Sequence, residues 1–154
     1  MPNIVHQDVI QLTASPEKVR EFLRDPERMA EYYPDLIEYG TFEEGKSYWC
    51  RGKAGVALFE IIEEQCTDTM VTMSIMTNIA VEKPYTVENI KADVFVSMIE
   101  EWDVIPKDGG SQITKTWLDV ELHQIKDIPI VKMIKETAVE EHEKIVTAWN
   151  KAAS

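Results

Sequence analysis

The chain has 154 residues, 44% hydrophobic and 29% charged, with 28 acidic against 16 basic side chains and a formal net charge of -12. This size and balance predict one globular domain over residues 1–154 with a core of its own, and they exclude a disordered chain. The acidic surplus, with no basic stripe, argues against nucleic acid as a partner, and no run approaches the roughly 18 apolar residues of a membrane-crossing helix, so no membrane insertion is expected.

The opening Met1-Pro2-Asn3-Ile4-Val5-His6 lacks a basic stretch followed by an apolar block, which predicts a cytoplasmic protein. From Ile4 to Thr13 the chain is rich in Ile, Val and Leu and reads as a strand. It stops at Ala14-Ser15-Pro16, where Ser15 can cap a helix whose first residue is Pro16 and whose Val19, Phe22 and Leu23 share one face. Asp25-Pro26 repeats the device for a second helix carrying Met29, Tyr32 and Tyr33, ended by Tyr33-Pro34. Helices this short need a larger body to pack against.

From Leu36 to Leu122 the period becomes strand-like, with predicted strands at 36 to 43, 46 to 53, 56 to 66, 69 to 78, 92 to 105 and 112 to 122. The short links imply antiparallel neighbours. The segment Asn78 to Lys91, with Pro84 and mixed polarity, suits a mobile loop at the mouth of a cavity. Asp108-Gly109-Gly110 reads as a three-residue hairpin loop pairing Lys107 with Ser111, hence Trp102 with Thr116, Glu100 with Leu118 and Met98 with Val120. One face then holds Met98, Glu100, Trp102, Val104, Thr114, Thr116, Leu118 and Val120, and the other holds Glu101, Asp103, Lys115 and Asp119 toward solvent, together with Ile113 and Trp117. A one-residue slip is expected to carry Glu101 and Asp103 inward, so the hydrophobic pattern selects the longer loop.

Asp127 to Ala153 reads as a long amphipathic helix capped by Asp127, with Pro129 in its first turn. Val131, Ile134, Ala138, His142, Ile145 and Trp149 form its apolar stripe, and the glutamates form a solvated face. A strand, two short helices, a strand meander and a terminal helix are the parts that a curved sheet needs to wrap a helix and enclose a cavity.

The run Ala14-Ser15-Pro16-Glu17-Lys18-Val19, then Asp25-Pro26-Glu27-Arg28 and Tyr33-Pro34, the Gly-Gly turn before Ser111-Gln112-Ile113-Thr114, and the long last helix resemble the polyketide cyclase/dehydrase and lipid-transport family of the START-like, or Bet v 1-like (SRPBCC), superfamily. The resemblance spans essentially the whole chain. It implies an α+β helix-grip fold: a seven-stranded curved antiparallel sheet around the C-terminal helix, two short helices after the first strand, and an apolar cavity between sheet and helix. It also implies a small hydrophobic ligand, lipid-like, polyketide-like or aromatic. The alternatives are a cyclase, aromatase or dehydratase acting on such a ligand, and a protein-interaction module.

Other motifs carry less. Gly40-Thr41-Phe42-Glu43-Glu44-Gly45-Lys46-Ser47 fits a phosphate-loop pattern by letter, but Ser47-Tyr48-Trp49-Cys50 continues as a strand instead of opening a helix. Cys50 and Cys66 are expected to be reduced thiols in strands. With His6, His123 and His142 scattered and no CxxC or HxxxH spacing, no metal or organic cofactor is expected. Two polar residues sit on apolar faces and are the catalytic candidates: Glu100, where apolar neighbours should raise the proton affinity, and His142, where an imidazole can orient a carbonyl or hydroxyl. The bland readings are a wet rim carboxylate, or one bonded to Thr116, and a satisfied core histidine. The expected ligand-contacting set is Met98, Glu100, Trp102, Thr116, Leu118, Ile134, Ala138 and His142, with Trp102 and Thr116 as central wall residues.

Overall fold

The computed structural model describes residues 3–33, 35–124 and 127–153. Strand β1 (Ile4–Leu12) leads into helices α1 (Pro16–Phe22) and α2 (Pro26–Ala30), followed by β2 (Glu38–Glu43), β3 (Ser47–Gly52), β4 (Gly55–Ile61), a 3-10 turn at Glu63–Gln65, β5 (Met70–Asn78), α3 (Val87–Lys91), β6 (Val96–Lys107), β7 (Gly110–Leu122) and α4 (Ile130–Ala153). The strands form one seven-stranded antiparallel sheet in the order β1-β7-β6-β5-β4-β3-β2. Hairpins carry the chain from β2 to β7, and β1 closes the other edge. This is the predicted helix-grip architecture, with the sheet curved around α4.

The two N-caps are made as expected. Ser15 Oγ accepts from the Lys18 N–H at 3.2 Å, and Asp25 Oδ1 accepts from the Glu27 N–H at 3.0 Å. Each satisfies a donor that the first helical turn leaves open. The second helix ends earlier than predicted, at Ala30, so Tyr32 and Tyr33 lie beyond it. Pro34, half of the predicted stop, lies outside the described residues.

The β6–β7 hairpin departs from its prediction in a way that matters for the site. Lys107 pairs with Gly110, so the loop has two residues, Asp108 and Gly109, with φ of 50° and 82°. Positive φ at both positions is the backbone of the tight turn whose twist matches the flanking strands, and Asp-Gly favours it. Trp102 therefore pairs with Lys115 and Glu100 with Trp117, while Thr116 faces Glu101 and Leu118 faces Ile99 on the opposite side. The slip turns β7 over and leaves β6 unchanged. Glu101 and Asp103 keep their face, and Lys115 goes inward. Near Asp119 (φ 53°) the register against β6 shifts between Ser97 and Ile99, and that against β1 between Ile4 and His6. These bulges bend β7 and return Val120 to the inner face, where it packs against the cluster of Trp117, Ile134 and Ala138.

Three other expectations change. The 79 to 91 connection is not a loop at a cavity mouth: it forms α3, whose Ile90 packs on Val56 and Leu58 on the convex side of the sheet. The strand predicted to end at 66 stops at Ile61, so Cys66 follows the 3-10 turn, while Cys50 lies in β3; both thiols are free. The phosphate-loop match is the β2–β3 hairpin, with Gly40 opposite Trp49.

Candidate functional site

Alternation along the strands puts Ala57 and Phe59 of β4, Ile75 and Thr77 of β5, Met98 and Glu100 of β6 and Trp117 of β7 on the concave face. Opposite them stand Ile130, Met133, Ile134, Thr137 and Glu141, one face of α4. Between the two lies a cavity of about 320 Å³, flanked by Tyr32 and Tyr33 after α2 and opening beside Asp35, Lys53 and Ala54. Small side chains, Ala57, Thr77 and Thr137, leave much of this space unfilled.

The rest of the groove is solid. Trp102 and Trp149 stack with ring centroids 5.9 Å apart, and Phe22 and Tyr32 meet Trp149 edge-on at 5.6 and 6.1 Å. Ile145, Val19 and Val104 belong to the same cluster. Rings of this size fill the groove with geometry that α4 cannot slide past.

At the boundary between hollow and solid sits a group of charges. Lys115 is fully buried. Its Nζ lies 2.5 Å from Glu141 Oε1 and 3.7 Å from Glu100 Oε2. It also lies 4.3, 4.4 and 4.9 Å from the ring centroids of Trp117, Trp102 and Tyr32, inside cation–π range. Trp102 Nε1 donates to Glu100 Oε1 at 3.1 Å. The second oxygen of Glu100 has only the longer contact to Lys115, on a wall that faces the cavity. Burial raises the Glu100 pKa to about 7; Lys115 opposes the rise and the Glu141 charge adds to it. Burial likewise pushes the Tyr32 and Tyr33 phenols up, so both remain neutral donors.

Of the residues singled out from sequence, Met98, Glu100 and Ile134 line the cavity. Trp102 stands behind Glu100 in the solid part, and Ala138 is buried against Trp117 and Ile134 beside the cavity. Thr116 and Leu118 lie on the other face of the sheet, where Gln7 Nε2 donates to Thr116 Oγ1 at 3.1 Å. His142 is turned to the flank of α4, its Nδ1 2.8 Å from Asp8 Oδ2 and its side chain 36% exposed. The buried line of α4 runs Ile134, Ala138, Glu141, Ile145, Trp149, and Val131 is exposed. Position 141 fits the helical period as well as 142 does, so periodicity alone cannot choose between them.

Sequence reasoning missed Lys115 and Glu141. The signal for both was the Asp-Gly turn: the two-residue reading turns Lys115 inward, and a buried ammonium requires a carboxylate within reach. Among the described residues no cluster of His, Cys, Asp and Glu could hold a metal ion, and no helix is long and apolar enough to cross a membrane.

Solved structures with the same architecture include a conserved protein from Geobacillus kaustophilus, at 15% identity and TM-score 0.69, with 96% of each chain covered. A START superfamily protein from Mycobacterium smegmatis matches at 14% identity and TM-score 0.60, over 96% of this chain and 95% of that one. Ara h 8.0201, a Bet v 1-type allergen, matches at 13% identity and TM-score 0.59, over 92% and 94%. No family model matches the sequence, and no curated protein matches it. At these identities the likeness shows the fold, START-like or Bet v 1-like, over nearly the whole chain.

Proposed function

We propose that the protein binds one small, largely apolar molecule between its curved sheet and α4. The observation that carries this reading is the cavity, walled by Phe59, Ile75, Met98, Trp117, Met133 and Ile134 and holding two carboxyls at one end. Burial of apolar ligand surface contributes about 25 cal/mol per Å², and a few polar groups then set orientation. Glu100 is the group best placed to do so. The volume lies at the low end of the roughly 300–1,000 Å³ common for ligand pockets, and is about twice the roughly 150 Å³ that takes up one benzene. It favours a one- or two-ring compound over an extended lipid.

A second reading, acid–base transformation of the bound molecule, is favoured by the raised proton affinity of Glu100, which suits a group that both holds and gives a proton near neutrality. Native mass spectrometry of the purified protein tests the first reading. A small molecule is expected to accompany the wild type and to be depleted in Thr137→Leu, which narrows the cavity while the protein stays folded. Wild-type protein that carries nothing and takes up no neutral two-ring compound overturns the reading. Consumption of the accompanying molecule, abolished by Glu100→Gln, would establish the second.

A further inference from the structure

The charges at the end of the cavity do not balance. Glu100 and Glu141 share one cation, Lys115, so with both carboxylates ionised the buried group carries one excess negative charge. Lys115 is not free to serve a ligand: Glu141 and the rings of Tyr32, Trp102 and Trp117 enclose its ammonium. The oxygen left without a close partner, Oε2 of Glu100, belongs to a residue only 3% exposed on the cavity wall. An uncompensated buried charge is costly, and either a proton or a second cation relieves it. We propose that the second cation comes with the ligand: the cavity takes a compact aryl- or aralkyl-amine, its rings against the apolar wall and its ammonium on Glu100.

This inference rests on the ligand-binding reading above and narrows its chemical class. The rings of Tyr33, Phe59 and Trp117 in the wall offer a cation further favourable surface. At the mouth Asp35 and Lys53 offset each other, while the net charge of -12 draws cations toward the protein and repels organic acids. An anionic ligand would place a third negative group beside one lysine. The groups facing Glu100 are Lys115 and Trp102 of the sheet, Glu141 of α4, Tyr32 after α2 and Tyr48 of β3. Lys115 is the one cation among them and is already engaged.

The test uses three molecules of nearly one shape: naphthylmethylamine, naphthylmethanol and naphthoic acid, titrated calorimetrically into the full chain. At about pH 8 the amine is expected to bind about tenfold to a hundredfold tighter than the alcohol, the range of a charge-assisted hydrogen bond, and the acid weakest. Glu100→Gln should bring the amine down to the alcohol. In wild type near pH 6, titrations in two buffers of different ionisation enthalpy should show proton release on amine binding, as the ammonium displaces the proton on Glu100. That measurement decides the matter even if the variant does not fold. An acid that binds as well as the amine, an amine no better than the alcohol, or proton uptake in place of release overturns the inference. In those cases binding of the alcohol leaves the ligand-binding reading standing. Failure of all three molecules to bind removes both.

Discussion

Along α4, the stretch from Ile145 to Trp149 and the stretch from Ile130 to Glu141 face one curved sheet but meet different side chains. The first meets Phe22, Tyr32 and Trp102 and is packed solid. The second meets Ala57, Thr77, Ile75 and Met98 and leaves a cavity. Backbone geometry is shared, so side-chain volume decides where the groove is filled. The solid end anchors the helix, which lets the other end stay hollow without loss of the fold.

The largest expected effect comes from breaking the anchor. Trp149 is fully buried and its Nε1 donates to the Arg28 carbonyl at 3.1 Å. Trp149→Ala should destabilise the protein toward the upper end of about 3–5 kcal/mol, read from urea denaturation. A loss below about 1 kcal/mol would mean that the two ends of α4 are not distinguished in the way described.

Next comes the boundary. Lys115→Met leaves Glu100 and Glu141 buried without their cation and should cost about 3 kcal/mol near neutrality, less in acid, where protonation relieves the repulsion. The double variant Lys115→Met/Glu141→Leu removes the ion pair as a unit and should recover most of the loss. Recovery absent from the double variant would show that Lys115 matters through something other than this charge pairing.

Glu100 links the comparison to pH. Its carboxyl holds a proton more tightly folded than unfolded, with a pKa raised from 4.5 to about 7. Between those values the folded state binds more protons than the unfolded state, so this group's contribution to stability falls as pH rises through the window. Below it both states are protonated and the pH dependence vanishes. Glu100→Gln keeps an acceptor for Trp102 and removes the titration. The variant should gain on wild type, on the order of 1–2 kcal/mol by about pH 8, and match it near pH 4. Parallel stability curves across that window would refute the burial of an ionisable Glu100.

These outcomes also bear on what the sequence could reveal. The caps at Ser15 and Asp25 are local chemistry, and they were legible because a serine or aspartate before proline needs no distant partner to act. The seven strands and the last helix followed from periodicity. The faces of the strands between 36 and 78 did not, because α3 covers the convex side of β4 and both Leu58 and Phe59 are buried. Alternation carries information only where one face is wet. The site was legible on β6, where Met98 and Glu100 were placed inward, and illegible on β7, where one residue of loop length reverses the side chains from Gln112 to Leu118. Lys115 was lost there, and Glu141 with it.

The smallest expected effect tests which face of α4 looks into the cavity. His142 and Glu141 are neighbours in sequence, and a lone histidine on an apolar stripe is the more conspicuous of the two. In the structure its imidazole pairs with Asp8 at 2.8 Å on the flank of the helix, partly in water. A polar pair of that exposure contributes between about 0 and 1 kcal/mol, because side-chain ordering and competition from water offset most of the gain. His142→Ala should therefore shift the denaturation midpoint slightly and leave naphthylmethanol affinity at the wild-type value. Thr137→Leu, one turn away on the cavity side, should do the reverse: change stability by less than about 1.5 kcal/mol and weaken binding. If His142→Ala weakened the ligand as Thr137→Leu is expected to, the helix would have to be rotated by one residue. The buried pair of Glu141 and Lys115 could not survive that rotation, since it would turn Glu141 away from β7 and leave the lysine without its carboxylate.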